Sequence, residues 1–148
     1  MKETYTLVLD TQNSTNRLGS NNYSRQYNVN WSAILPKPEN ISQKYQLRFT
    51  LTSLSTASLG DIFSVSIDFG GSNVYQQSNS KGTFLGLVYP IGNNGTYYYF
   101  QSKACDNLPV TVEYPNNSLI TVSINSIVSG SANTFGVHSV LVLEFTPI

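Results

Sequence analysis

The sequence predicts an all-β protein, a sandwich of two antiparallel sheets in a single domain spanning residues 1–148. Three observations carry this. Serine (20), threonine (13) and asparagine (16) supply 49 of the 148 residues, whereas only 16 residues are charged. Ser, Thr and Asn compete with the helix ladder by bonding nearby backbone, so this composition disfavours long helices. Tyr, Val, Ile, Leu and Phe recur at every second position in short runs, the period of a half-buried strand. Clusters of Asn, Gly, Pro and Ser separate those runs at intervals of about ten residues, the spacing of strands in a sandwich or barrel.

The runs can be placed in order. Tyr5, Leu7 and Leu9 alternate with Thr4, Thr6 and Val8, predicting a first strand over 4–10. Residues 11–22, rich in Asn, Ser, Thr and Gly, read as a loop. Tyr23, Arg25, Tyr27, Val29 and Trp31 then occupy alternate positions, and Pro36 and Pro38 end the segment that follows. Tyr45, Leu47, Phe49 and Leu51 alternate with Lys44, Gln46, Arg48 and Thr50, giving a strand with one wet face; 52–60 reads as loop. Phe63, Val65, Ile67 and Phe69 alternate with Ser64, Ser66 and Asp68 before the Gly70-Gly71 turn. A short strand over 74–77 is followed by Leu85, Leu87 and Tyr89, a run that Pro90 is expected to stop.

Asn93-Asn94-Gly95 is a tight-turn signal, because Asn and Gly tolerate positive φ. It leads into the aromatic run 97–100. Val110, Val112 and Tyr114 precede a turn at Pro115-Asn116-Asn117, which leads to Ile120, Val122 and Ile124. The last strand covers 140–145, with Glu144 outward and Leu141, Leu143 and Phe145 inward. Nine or ten strands result. Two four-stranded sheets with short additions fit that number, so a single jelly roll is the preferred architecture. An immunoglobulin-like sandwich comes second, weakened by the lack of paired cysteines. If the architecture is a jelly roll, the strand near Tyr5 pairs antiparallel with the strand near Phe145.

The totals exclude more than they assign. Net charge is zero, and Lys and Arg do not form the basic stripe of a nucleic-acid binder. No apolar stretch is long enough for a membrane-spanning helix, and no signal-peptide core is apparent near Met1, so neither membrane insertion nor a secretory route is expected. Cys105 is the only cysteine and cannot form an internal disulfide.

Candidate chemistry is sparse. His138, the only histidine, has no G-x-S-x-G nucleophile elbow to serve, and a structural histidine is the preferred reading. Cys105 lies near Lys103 and Asp106 but in no recognisable nucleophile signature. Asp61, Asp68, Asp106, Glu113 and Glu144 are scattered and form no calcium-loop motif, although two carboxylates meeting across a cleft would suit glycoside hydrolysis. The expectation is therefore no enzyme, no catalytic or cofactor-binding residue, no metal and no cofactor. Six Asn-x-Ser/Thr sequons, at Asn13, Asn22, Asn30, Asn40, Asn94 and Asn116, are little more than this composition produces by chance. The run Tyr97, Tyr98, Tyr99, Phe100 puts large rings on both faces of a strand, for a core, an interface or a sugar-stacking platform. Trp31 reads as a core anchor.

Four segments together resemble a known group of proteins. These are Tyr5-Thr-Leu-Val-Leu-Asp10, Tyr27-Asn-Val-Asn-Trp31-Ser-Ala-Ile-Leu35-Pro36, Lys44-Tyr-Gln-Leu-Arg-Phe49 and Val140-Leu-Val-Leu-Glu-Phe145. Their order resembles the single jelly-roll minor capsid and penton proteins of large icosahedral DNA viruses, including algal and giant viruses, and of virophages. The resemblance implies a structural capsid subunit of the virion, assembled in the host cell. It implies contact with major and minor capsid proteins and a homo-oligomer, preferably a pentamer closing five-fold vertices. No direct nucleic-acid contact is implied. Asn30, Trp31, Leu35 and Pro36, the positions most like the family, read as fold determinants. The alternative is a carbohydrate-binding, lectin-like β-sandwich.

Overall fold

The computed structural model describes residues 3–10, 16–18, 23–36, 43–55, 62–68, 74–77, 80–94, 96, 98–102, 109–126 and 138–148. Eleven strands occur among them: β1 (Tyr5–Asp10), β2 (Asn16–Leu18), β3 (Tyr23–Asn28), β4 (Lys44–Ser55), β5 (Phe63–Ile67), β6 (Val74–Gln77), β7 (Ser80–Asn93), β8 (Tyr98–Ser102), β9 (Val110–Glu113), β10 (Leu119–Ser126) and β11 (His138–Pro147). The only helical element among the described residues is one 3₁₀ turn, Trp31–Ala33. No helix among them is long and apolar enough to cross a membrane.

All pairings are antiparallel, and they build two four-stranded sheets. One has the order β1-β11-β4-β9 and the other β3-β10-β5-β7. Short strands β2 and β6 extend the second sheet along β3 and β7. This is the wiring of a single jelly roll. Opening and closing strands lie side by side, from Tyr5 opposite Phe145 to Asp10 opposite Val140, as the sequence predicts.

The two sheets are joined on one flank. The first residues of β4 pair with β9, whereas its last residues, 52–55, pair with β8. The far side of β8 pairs with the end of β7, so β8 ties the first sheet to the second. On the opposite flank, β1 and β3 belong to different sheets, and the sandwich has a mouth there.

Inward positions of both sheets form one core. Leu47, Phe49, Leu51, Leu141, Leu143 and Phe145 of the first sheet meet Phe63, Val65, Ile67, Leu85, Ile120 and Val122 of the second. Phe63 packs edge-on against Phe100 of β8 at 5.3 Å, and Tyr45 packs edge-on against Phe145 at 6.3 Å. Burying each such side chain contributes about 1.5–3 kcal/mol.

The strands depart from the sequence reading at five places. Residues 16–18, read as loop, pair with β3 as β2. Residues 52–55, also read as loop, continue β4, because β11 and β8 supply partners on both sides. Pro90 does not stop its strand: β7 runs to Asn93, with a bulge between Pro90 and Gly92 that leaves Ile91 unpaired. A bulge is one of the few sheet positions that accommodate a residue without an N–H. Trp31 lies in the 3₁₀ turn rather than on β3, which ends at Asn28. Lastly, β5 is buried along its whole length, Ser64 and Ser66 included. A second bulge, between Val65 and Ser66, places Leu87 opposite Ser64 and Phe84 opposite Ser66. These half-buried side chains stand at the facing register positions beside the small hydroxyls. Gly86 sits at that bulge with φ 155°, a backbone conformation that L side chains rarely adopt.

Candidate functional site

The segment after β3 shapes two neighbouring depressions. Val29 extends the β3 pairing by donating its N–H to the Ser118 carbonyl at 2.7 Å. The chain then makes a single 3₁₀ turn, with Ala33 N–H bonded to the Asn30 carbonyl and Ile34 and Leu35 N–H to the Trp31 carbonyl. Pro36 limits it to one turn, since the residue before a proline is pushed out of helical backbone. Trp31 is buried, packs edge-on against Phe145 at 5.7 Å and donates its indole N–H to the Asn117 carbonyl at 2.8 Å. That bond ties the turn to the β9–β10 connection and gives the indole the polar partner that burial demands.

The first depression, of about 540 Å³, lies between residues 28–31 and the β9–β10 connection. Asn28, Asn30, Asn116 and Ser118 form its exposed polar rim, and half-buried Tyr114 forms one wall. None of its lining residues is charged. The second, of about 270 Å³, is the mouth between β1 and the 3₁₀ turn. Leu7, Leu9, Val29, Ala33 and Ile34 make it largely apolar, with Asp10 at its end.

Residues weighed from the sequence do not converge among the described residues. Asp68, at the end of β5, accepts the Thr121 N–H at 2.8 Å and so fastens β5 to β10. Glu113 and Glu144 stand exposed on the outer face of the first sheet, at register positions opposite Lys44 and Arg48. Opposite charges directly across strands favour that register. No group of three His, Cys, Asp or Glu among the described residues is arranged to hold a metal ion. His138 begins β11 opposite Leu54, and its side chain lies outside the described residues. Cys105, Asp61, Asp106, Tyr97, Asn13, Asn22 and Asn40 also lie outside them, as does the side chain of Tyr98. Of the aromatic run, Phe100 is fully buried and Tyr99 half-buried, so Phe100 serves the core and presents no stacking surface. Asn30, Asn94 and Asn116 are exposed, and Asn94 accepts the Thr96 N–H at 3.0 Å to close the β7–β8 turn.

Sequence reading passed over the Asn-rimmed depression. Its only signal there is the repetition of Asn at 28, 30, 116 and 117, and nothing in the order of residues says that these two stretches meet.

No protein-family model, no curated protein and no solved structure matches this chain.

Proposed function

We propose that this chain is a structural subunit of an icosahedral viral capsid, a minor capsid protein whose preferred place is the penton at the five-fold vertices. One observation carries the reading: the strand orders β1-β11-β4-β9 and β3-β10-β5-β7, the wiring of a single jelly roll, within these 148 residues. The resemblance of four segments to single jelly-roll capsid proteins agrees with that wiring. Its partners are then further copies of itself and other capsid proteins, and its place is the virion.

The two flanks support assembly into a ring. A ring needs one head-to-tail interface, built from two different surfaces of the same subunit. Val8 on β1 and Ile91 at the β7 bulge are both 56% exposed, and the strand order puts them on opposite flanks. With few charges available, the contacts are made by packing and neutral hydrogen bonds, and assembly depends weakly on salt.

Native mass measurement and electron microscopy across a concentration series test this. The expected result is a closed ring, pentameric for a penton, that persists at high salt and is lost in Ile91→Asp. A chain that stays monomeric at all concentrations, and that does not join a shell when mixed with capsid proteins, overturns the assembly reading. A trimer overturns only the penton position.

A further inference from the structure

We propose that the Asn-rimmed depression between residues 28–31 and the β9–β10 connection is a binding site for a neutral saccharide. This is a recognition function separate from assembly and from the aromatic run 97–100.

Its walls are fixed to each other before any ligand arrives. Val29 N–H bonds the Ser118 carbonyl at 2.7 Å, and Trp31 Nε1–H bonds the Asn117 carbonyl at 2.8 Å. Pro115 in the floor is buried. A ligand therefore does not have to order these two stretches, which removes a large part of the usual cost of binding.

Two of the polar side chains on the rim are uncommitted. Among the described residues, the carboxamides of Asn28 and Asn116 have no hydrogen-bond partner, although both residues are exposed on the rim. Asn residues at turns commonly bond their own backbone. Asn94 does so with Thr96, and the Asn30 side-chain oxygen accepts the Ser32 hydroxyl at 2.7 Å. Asn28 and Asn116 do neither, so turn-making does not account for their side chains.

The chemistry selects the ligand class. Each carboxamide offers donors and an acceptor side by side, and the Ser118 hydroxyl can do either. That set matches vicinal hydroxyls, which also donate and accept. Half-buried Tyr114 adds an apolar wall for the C–H face of a pyranose. No charged residue lines the depression, so a sugar acid or an amino sugar finds no counter-charge there. A volume of about 540 Å³ lies within the ordinary range of small-molecule sites. Because the depression is open to solvent, the expected affinity for one sugar is weak, with a Kd on the order of 1 mM.

The test uses the full chain and a panel of probes: the methyl glycosides of glucose, galactose, mannose and N-acetylglucosamine, with glucuronic acid as the charged control. Amide chemical shifts are followed by NMR, with the fluorescence of Trp31, the only tryptophan, as a second reading. The expected result is saturable shifts confined to residues 28–31 and 114–118 for at least one neutral glycoside. Glucuronic acid should bind at least tenfold more weakly. The double variant Asn28→Ala/Asn116→Ala, altered only on the exposed rim, should keep the strand signals and lose affinity at least tenfold. No saturable shift for any glycoside overturns the proposal. So does binding that the double variant leaves unchanged, or shifts centred elsewhere. Assembly is measured separately by mass, so failure here leaves the capsid reading standing, and a monomeric chain that binds sugar leaves this one standing.

Discussion

The two sheets share a core but treat their outer faces differently. In the first, β4 and β11 alternate strictly. Lys44, Arg48, Thr50, Thr52 and Glu144 are exposed on one side, while Tyr45, Leu47, Phe49, Leu51, Leu141, Leu143 and Phe145 are buried on the other. In the second, β5 is buried on both faces, and β7 carries two bulges. Among the described side chains, its outer positions on β3, β10 and β5 include Gln26, Thr121, Ser123, Ser64 and Ser66, none of them charged. The contrast teaches that serine in an alternating strand does not by itself mark a wet face. A hydroxyl is small enough to be buried, as at Ser64 and Ser66, whereas Lys or Arg keeps its head in water.

The sharpest way to break this comparison is to put the same charge on both outer faces. Ser64→Asp introduces a carboxylate at a position 1% exposed, and it should destabilise the protein by about 3 kcal/mol or more. Thr50→Asp puts it on an exposed position of β4 and should change stability by no more than about 0.5 kcal/mol. Urea unfolding of both variants decides the matter; equal losses would mean that the two outer faces are equivalent.

A smaller effect separates the two irregular sites on β7. Gly86→Ala forces a side chain onto a backbone at φ 155° and should cost about 1–2 kcal/mol. Gly92→Ala meets open space, with nothing within 4 Å of the added Cβ, and should be neutral within about 0.5 kcal/mol. Thermal denaturation of the two variants compares them directly. A neutral Gly86→Ala would show that the Val65/Ser66 bulge does not depend on glycine.

The smallest effect concerns a tyrosine under the regular sheet. Burial, with Tyr114 and Tyr5 as lesser causes, raises the Tyr45 phenol above its ordinary value of 10.0. A raised pKa means that the folded state favours the neutral phenol. The stability this contributes is complete below pH 10 and is lost as the pH rises through the folded value. Tyr45→Phe should remove that part of the alkaline loss. Denaturant midpoints measured from about pH 8 to about pH 12 read it out, and identical profiles for the two proteins would exclude Tyr45 as the group responsible.

Much of the fold was legible because alternation reports burial wherever a sheet has one wet face. β4 and β11 are such strands, and the inward positions of both follow from Lys44, Arg48 and Glu144 alone. Legibility failed where tertiary partners override local signals. β4 runs on to Ser55 because β8 and β11 flank it, and β7 passes Pro90 because a bulge admits proline. The three residues of β2 have no pattern long enough to read. The Asn-rimmed depression was illegible for a different reason. It needs Asn28 and Asn116 brought together across β3 and β10, and that pairing is a property of the strand order.

The tie made by β8 also gives the sandwich a spine, like a bound book. On that flank the sheets are continuous through backbone hydrogen bonds, from β4 to β8 to β7. On the other, side chains such as Leu7, Leu9, Val29 and Ile34 face one another across the mouth. Splaying the sheets at the spine breaks a ladder, whereas splaying them at the mouth only parts side chains. The mouth is therefore the more easily parted flank along β1, while the bonds of Val29 and Trp31 hold the 3₁₀ turn to the β9–β10 connection. In the proposed ring the mouth of one subunit would meet the spine of the next, and small misfits would be taken up on the mouth side of each joint.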